Sequence, residues 1–153
     1  RLAAEQGYAN AQSNVGFMYE NGTGVPRNNK TAVKWYRLAA EQGYANAQYN
    51  LGLMYGLGQG VPQDYKTAVK WYTLAAEQGY ANAQFKLGLM YAQGTGIPVN
   101  GVYAYMWGNL GALNGNENGG KLRDILAKQM APADISAANK LARECVRKKY
   151  KGC

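Results

Sequence analysis

The chain contains no histidine and only two cysteines, Cys145 and Cys153, among 153 residues. Without an imidazole, Ser-His-Asp and Cys-His nucleophile arrangements and every histidine-ligated metal site are excluded. Two thiols alone do not complete a four-ligand zinc site. No run approaches the roughly 18 apolar residues of a membrane-spanning helix. Charged residues make up 17% of the chain against 47% hydrophobic, a balance that excludes a disordered class and predicts a folded protein. Nothing in this composition calls for a cofactor or a metal.

What is present is repetition. The stretch Arg37 to Tyr72, RLAAEQGYANAQYNLGLMYGLGQGVPQDYKTAVKWY, occurs before itself in residues 1–36 with nine changes, leaving 27 of 36 positions identical. A third copy runs from Thr73 through Pro98. A fixed period in this range marks an array of small supersecondary units, each burying its apolar face against the next.

Each copy carries two helical patterns. In ANAQSNVGFMY, Ala11, Val15, Met18 and Tyr19 fall on one helix face; this predicts a helix A that stops at Asn21-Gly22-Thr23-Gly24. After Val25-Pro26, Asn28 (Asp64 in the second copy) is a suitable N-cap for a helix B whose apolar stripe includes Ala32, Val33, Trp35, Tyr36, Leu38, Ala39 and Ala40. The opening RLAAEQG corresponds to the second half of a helix B, so the first copy is expected to begin mid-helix. Gly16, Gly52 and Gly88 recur inside helix A, where glycine costs about 1 kcal/mol relative to alanine. Their return predicts a neighbouring helix too close for a β-carbon. Trp35, Tyr19 and Tyr8 are expected to fill the remaining volume.

The pattern A-A-E-Q-G-Y-A-N-A-Q-x-x-L-G-x-M-Y-x-x-G-x-G-V-P-x-D/N-x-x-x-A-x-x-W-Y resembles the Sel-1-like repeat (SLR) family, relatives of the tetratricopeptide repeats. The resemblance covers residues 1–107. It implies an all-α, right-handed α/α superhelix of about three 36-residue helix-turn-helix repeats, with the A helices lining the concave surface. Residues 108–153 are then expected to be divergent capping helices and a basic tail. In that tail, Gly111–Gly120 reads as a connector, Lys121 to Met130 as a short helix, and Pro132 to about Lys149 as a final helix with Ile135, Ala138, Ala142, Cys145 and Val146 on its apolar stripe. The cap is needed because Val102, Tyr103, Tyr105, Met106 and Trp107 make the third helix B more apolar than its counterparts.

Several features invite chemistry and have plainer structural readings. The GxGVP loops follow helices, lack the lysine-serine ending of a phosphate-binding loop and recur with the structural period, so they read as inter-helix turns. Glu5, Glu41 and Glu77 are one repeated surface position, and no pair of carboxylates stands out as acid and base. The net charge of +8 is uneven: eight basic and six acidic residues lie before Lys121, nine basic and three acidic from there on. Lys140, Arg143, Arg147, Lys148, Lys149 and Lys151 could attract nucleic acid or anionic lipid, yet only Tyr150 is interleaved as an aromatic platform, which favours a solvated face. Cys145 and Cys153 are expected to form a disulfide, closing a nine-residue loop for roughly 2.5 kcal/mol and pointing to a periplasmic or secreted bacterial location rather than the cytoplasm.

Positions that differ between copies are informative, because stacking positions should be constant while ligand positions vary. The variable helix A face reads Ser13, Phe17, Glu20; then Tyr49, Leu53, Gly56; then Phe85, Leu89, Ala92, with Leu57 and Lys86 beside it. We expect the partner-binding residues to be Ser13, Phe17, Glu20, Tyr49, Leu53, Leu57, Phe85, Lys86 and Leu89. The resemblance implies a non-enzymatic scaffold or adaptor, a monomer or weak oligomer, that holds a protein or peptide there; nucleic acid is the less favoured partner. The alternatives it brings are an immunity protein for a secreted bacterial toxin, or binding or hydrolysis of β-lactams or cell-wall fragments as in cysteine-rich relatives, whose repeats each carry a cysteine pair absent here.

Overall fold

The computed structural model describes residues 2–5 and 7–153. Among these, nine helices follow one another: α1 (Leu2–Glu5), α2 (Ala9–Asn21), α3 (Asn29–Glu41), α4 (Ala45–Leu57), α5 (Tyr65–Ala76), α6 (Ala81–Gln93), α7 (Gly101–Leu113), α8 (Glu117–Ala127) and α9 (Pro132–Arg147). Helix A of the three copies is α2, α4 and α6, and helix B is α3, α5 and α7. The opening motif is helical over α1, while its residues 1 and 6 lie outside the described ones. None of these helices is long and apolar enough to cross a membrane. The chain divides into two compact units, the first ending at Trp71 and the second spanning Tyr72–Cys153.

The turns form for the reasons the sequence suggests. Gly22 ends α2 in the left-handed conformation (φ 71°), and the Thr23 amide returns to the Met18 carbonyl at 2.9 Å. The Asn28 side chain then accepts from the Thr31 amide at 3.1 Å and starts α3; Asp64 does the same for Thr67 at 3.1 Å. In the first unit the core comprises Ala32, Val33, Tyr36, Ala39, Ala40, Ala47, Leu51 and Met54, with Tyr19 and Trp71 packed against it. A β-carbon on Gly16 would lie 2.7 Å from a ring carbon of Tyr36, which explains the helix-interior glycine. Tyr8, expected as filler, is instead exposed, because it sits at the non-helical entry to α2 and not on a packed face.

One buried polar contact recurs that the apolar patterning does not predict. Gln12, Gln48 and Gln84 are buried; their side-chain amides donate to the carbonyls of Ala4 (3.2 Å), Ala40 (3.2 Å) and Ala76 (3.1 Å) respectively. Each gives a second donor to a carbonyl near the end of the preceding helix, one that already accepts from the backbone amide of Gly7 (3.1 Å), Gly43 (3.0 Å) or Gly79 (3.0 Å).

In the second unit, α7 packs against α6, α8 and α9. The cap covers the third helix B as expected: Met106, Trp107 and Leu110 are buried, and Cys145 Sγ lies 3.6 Å from Met106 Sδ. The short helix expected over Lys121 to Met130 in fact runs Glu117–Ala127, and Gly111–Gly120 is largely helical. The helix α7 continues to Leu113, and α8 begins at Glu117 behind Asn116, whose side chain accepts from the Gly119 amide at 3.0 Å. The glycines serve backbone contact: a β-carbon on Gly119 would stand 2.5 Å from the Gly108 carbonyl oxygen, and one on Gly111 3.2 Å from the Phe85 nitrogen. Composition alone does not separate such close-packing glycines from flexible ones.

The tail folds back. A disulfide joins Cys145 and Cys153, whose Cα atoms are 5.7 Å apart. Between them, Lys149 (φ 53°) and Tyr150 (φ 67°) take left-handed conformations that non-glycine residues seldom adopt. The Tyr150 ring lies beside Gly79, and its hydroxyl receives a hydrogen bond from Asn114 Nδ2 at 3.2 Å. The basic residues Lys140, Arg143, Arg147, Lys148, Lys149 and Lys151 are all exposed.

Candidate interaction face

The variable face of helix A is apolar in part and divided between the two units. In the first unit, Phe17 (55% exposed) and Leu57 (62% exposed) stand open to solvent, and Tyr49 and Leu53 are half-buried. Ser13 is not on this surface. It is 2% exposed, and its hydroxyl donates to Asn46 Oδ1 at 2.9 Å, so it serves packing between α2 and α4 and offers nothing to a ligand. Glu20 is half-buried and accepts from the Tyr36 hydroxyl at 2.5 Å. Burial, then the bond to the Glu20 carboxylate and its charge, push the Tyr36 phenol above its ordinary range. Glu20 thus holds a core tyrosine, a role absent in the other copies, where its position is Gly56 or Ala92.

In the second unit, Phe85 and Leu89 of α6 form one wall of an apolar cavity of about 230 Å³. The other wall comes from α8: Asn118, Lys121, Leu122 and Ile125. Lys86 Nζ sits 6.0 Å from the Phe85 ring centroid, and Lys121 is exposed, which gives the opening a cationic rim. Leu122 is buried while Ile125 is 56% exposed.

The α8 wall was missed because the tail looked divergent, but the period carries through it. Glu117 follows Ala81, the first residue of α6, by 36 residues, so α8 stands in the position of a fourth helix A. In this register Phe17, Leu53, Leu89 and Ile125 are equivalent, and all four are apolar. Extending the period beyond the recognisable motif would have found Ile125.

The helix pairs, their glycine-ended turns and their 36-residue spacing match the Sel1 repeat model at residues 9–44, 45–80 and 81–116. The chain belongs to the Sel1 repeat family. Its fold class is that of an all-α repeat solenoid. Among solved Sel1-type structures, it is similar to a protective antigen of uropathogenic Escherichia coli with an SLR fold, at 34% identity and a TM-score of 0.88 over 96% of this chain and 32% of that one. It is also similar to a Sel1 repeat protein from Oxalobacter formigenes, at 41% identity and a TM-score of 0.73 over 74% of this chain and 45% of that one. The chain therefore spans less than half the length of either relative. No curated protein matches it significantly.

Proposed function

We propose that this Sel1 repeat chain is a non-enzymatic interaction module that binds a segment of another protein on its helix A face. The observation that carries this reading is the register of Phe17, Leu53, Leu89 and Ile125: one position, apolar in every helix A, with Phe17 and Ile125 more than half exposed. Solvent-exposed large apolar side chains with a polar rim favour protein contact, and a packing role would bury them. Phe17, Tyr49, Leu53, Leu57, Phe85, Lys86 and Leu89 are the binding residues in this reading, joined by Ile125. Ser13 and Glu20 support the face from behind.

The disulfide supports a place outside the cytoplasm, where such bonds persist. The similarity to a protective antigen from a bacterial pathogen supports the same location. The test is a pull-down from extract of the source cell with the parent chain and a Phe17→Ser/Ile125→Ser variant. Both positions are exposed, so circular dichroism should report equal helix. A specific partner is expected with the parent and lost with the variant; retention of the same partner by both would overturn the assignment of the face.

A further inference from the structure

A second cleft lies between α7 and α9. Its volume is about 320 Å³, and it is lined by Asn109 and Leu113 from α7 and by Asn139, Ala142, Arg143 and Val146 from α9. The α9 residues fall at i, i+3, i+4 and i+7, one continuous stripe. Leu113 is 66% exposed, and Val146 also stands open.

The repeat itself shows that this cleft departs from the pattern around it. Leu113 occupies the position held by Glu41 and Glu77 in the other copies. The third copy thus replaces a surface carboxylate with an exposed leucine, against the ordinary preference for charge at such a site. The same exchange removes the anion that would stand across the cleft from Arg143. Among the described residues, neither the Arg143 guanidinium nor the Asn139 amide has a hydrogen-bond or ion-pair partner, whereas Asn109 accepts from Arg123 Nη1 at 2.9 Å.

We propose that this cleft docks a short acidic segment of a partner protein, with a carboxylate set beside an aliphatic side chain. The carboxylate meets the fork of Arg143, a geometry suited to bidentate hydrogen bonding. The aliphatic group rests on Leu113, Ala142 and Val146. The volume lies at the low end of ligand sites and suits a few side chains. No aromatic ring lines it, so stacked bases or sugars gain nothing there. The excess of basic over acidic residues from Lys121 onward favours approach of an anionic partner. This site is independent of the helix A face, since the two share no lining residue.

The test is selection of displayed random dodecapeptides on the intact, oxidised chain. The expected products carry Asp or Glu next to Leu, Ile or Val. A synthetic copy of a selected peptide should bind Arg143→Glu and Leu113→Glu variants at least about tenfold more weakly, a change of about 1.4 kcal/mol. It should bind a Leu89→Ser variant unchanged. The Leu113→Glu change restores the residue of the other copies at an exposed position and supplies Arg143 with an internal partner, so it blocks the site without disturbing the core. The proposal is overturned if no peptide is enriched, if the enriched peptides lack carboxylates, or if they bind both charge variants as well as the parent. Loss of binding in Leu89→Ser with retention in Arg143→Glu would also overturn it, by placing those peptides on the helix A face.

Discussion

The first and third repeats solve the same packing problem with different material. In the first, helix-interior Gly16 receives the ring of Tyr36 from its own helix B. In the third, the equivalent of Gly16 is Gly88 and the equivalent of Tyr36 is Gly108, so no ring is available. A β-carbon on Gly88 would instead meet the Gly108 nitrogen at 3.0 Å and Leu122 Cδ2 of α8 at 3.3 Å. The third repeat has given up its tyrosine so that α8 can come down onto α7 and insert a leucine. A terminal unit needs a cover that no further identical repeat supplies, and here the cover is built into the exchange at one position.

Restoring the tyrosine should break this difference most severely. Gly108→Tyr places a ring where the Gly119 carbonyl oxygen lies 3.0 Å from even a β-carbon. Overpacking against a backbone that cannot move costs about 3 kcal/mol or more. Urea denaturation should report that loss, and limited proteolysis should find α8 and α9 cleaved first. A variant as stable as the parent would mean that α8 does not depend on this approach.

The second difference is covalent. The repeats are held by burial and by the glutamine-to-carbonyl bonds, whereas the cap is also closed by Cys145–Cys153. Left-handed Lys149 and Tyr150 are conformations that persist only when their surroundings enforce them. Cys153→Ser should lower stability by roughly 2.5 kcal/mol, from the loop-closure entropy returned to the unfolded chain. Addition of reductant should then affect the parent and leave the variant unchanged. Equal stability of parent and variant under oxidising conditions would show that Tyr150 on Gly79 and Asn114 suffices to hold the tail.

The same contrast explains how far the sequence could be read. The repeats were legible because near-identity at a fixed spacing exposes which positions serve stacking, and Gly16, Gly22 and Asn28 each have a single physical reason. Glycine in the tail was ambiguous: the residue that ends α2 and the residue that lets α8 touch α7 are the same letter, and only the neighbouring backbone distinguishes Gly22 from Gly119. Ser13 misled for a related reason. Variation between copies marks positions free of the common constraint, but a small residue can vary because it answers a private partner, here Asn46. Phe17 and Leu57, by contrast, vary between copies and stand open to solvent.

The mildest way to sharpen the comparison is the private contact of the first repeat, Tyr36 with Glu20. The folded protein holds the Tyr36 phenol above its ordinary value, by burial first and then by the carboxylate. The phenol of the unfolded chain ionises near pH 10, at about its reference value. A group whose folded value is raised contributes stability that is complete below the unfolded value and is lost as pH rises beyond it. Tyr36→Phe should therefore cost about 1 kcal/mol near neutrality, where one hydrogen bond is lost and Glu20 turns to solvent. The gap should narrow above about pH 10, because the parent then loses a term the variant never had. Denaturation midpoints of the two proteins followed from neutral to alkaline pH decide it. Parallel curves would mean that Tyr36 is as free to ionise in the fold as out of it, and that the first repeat, like the third, holds its glycine contact by shape alone.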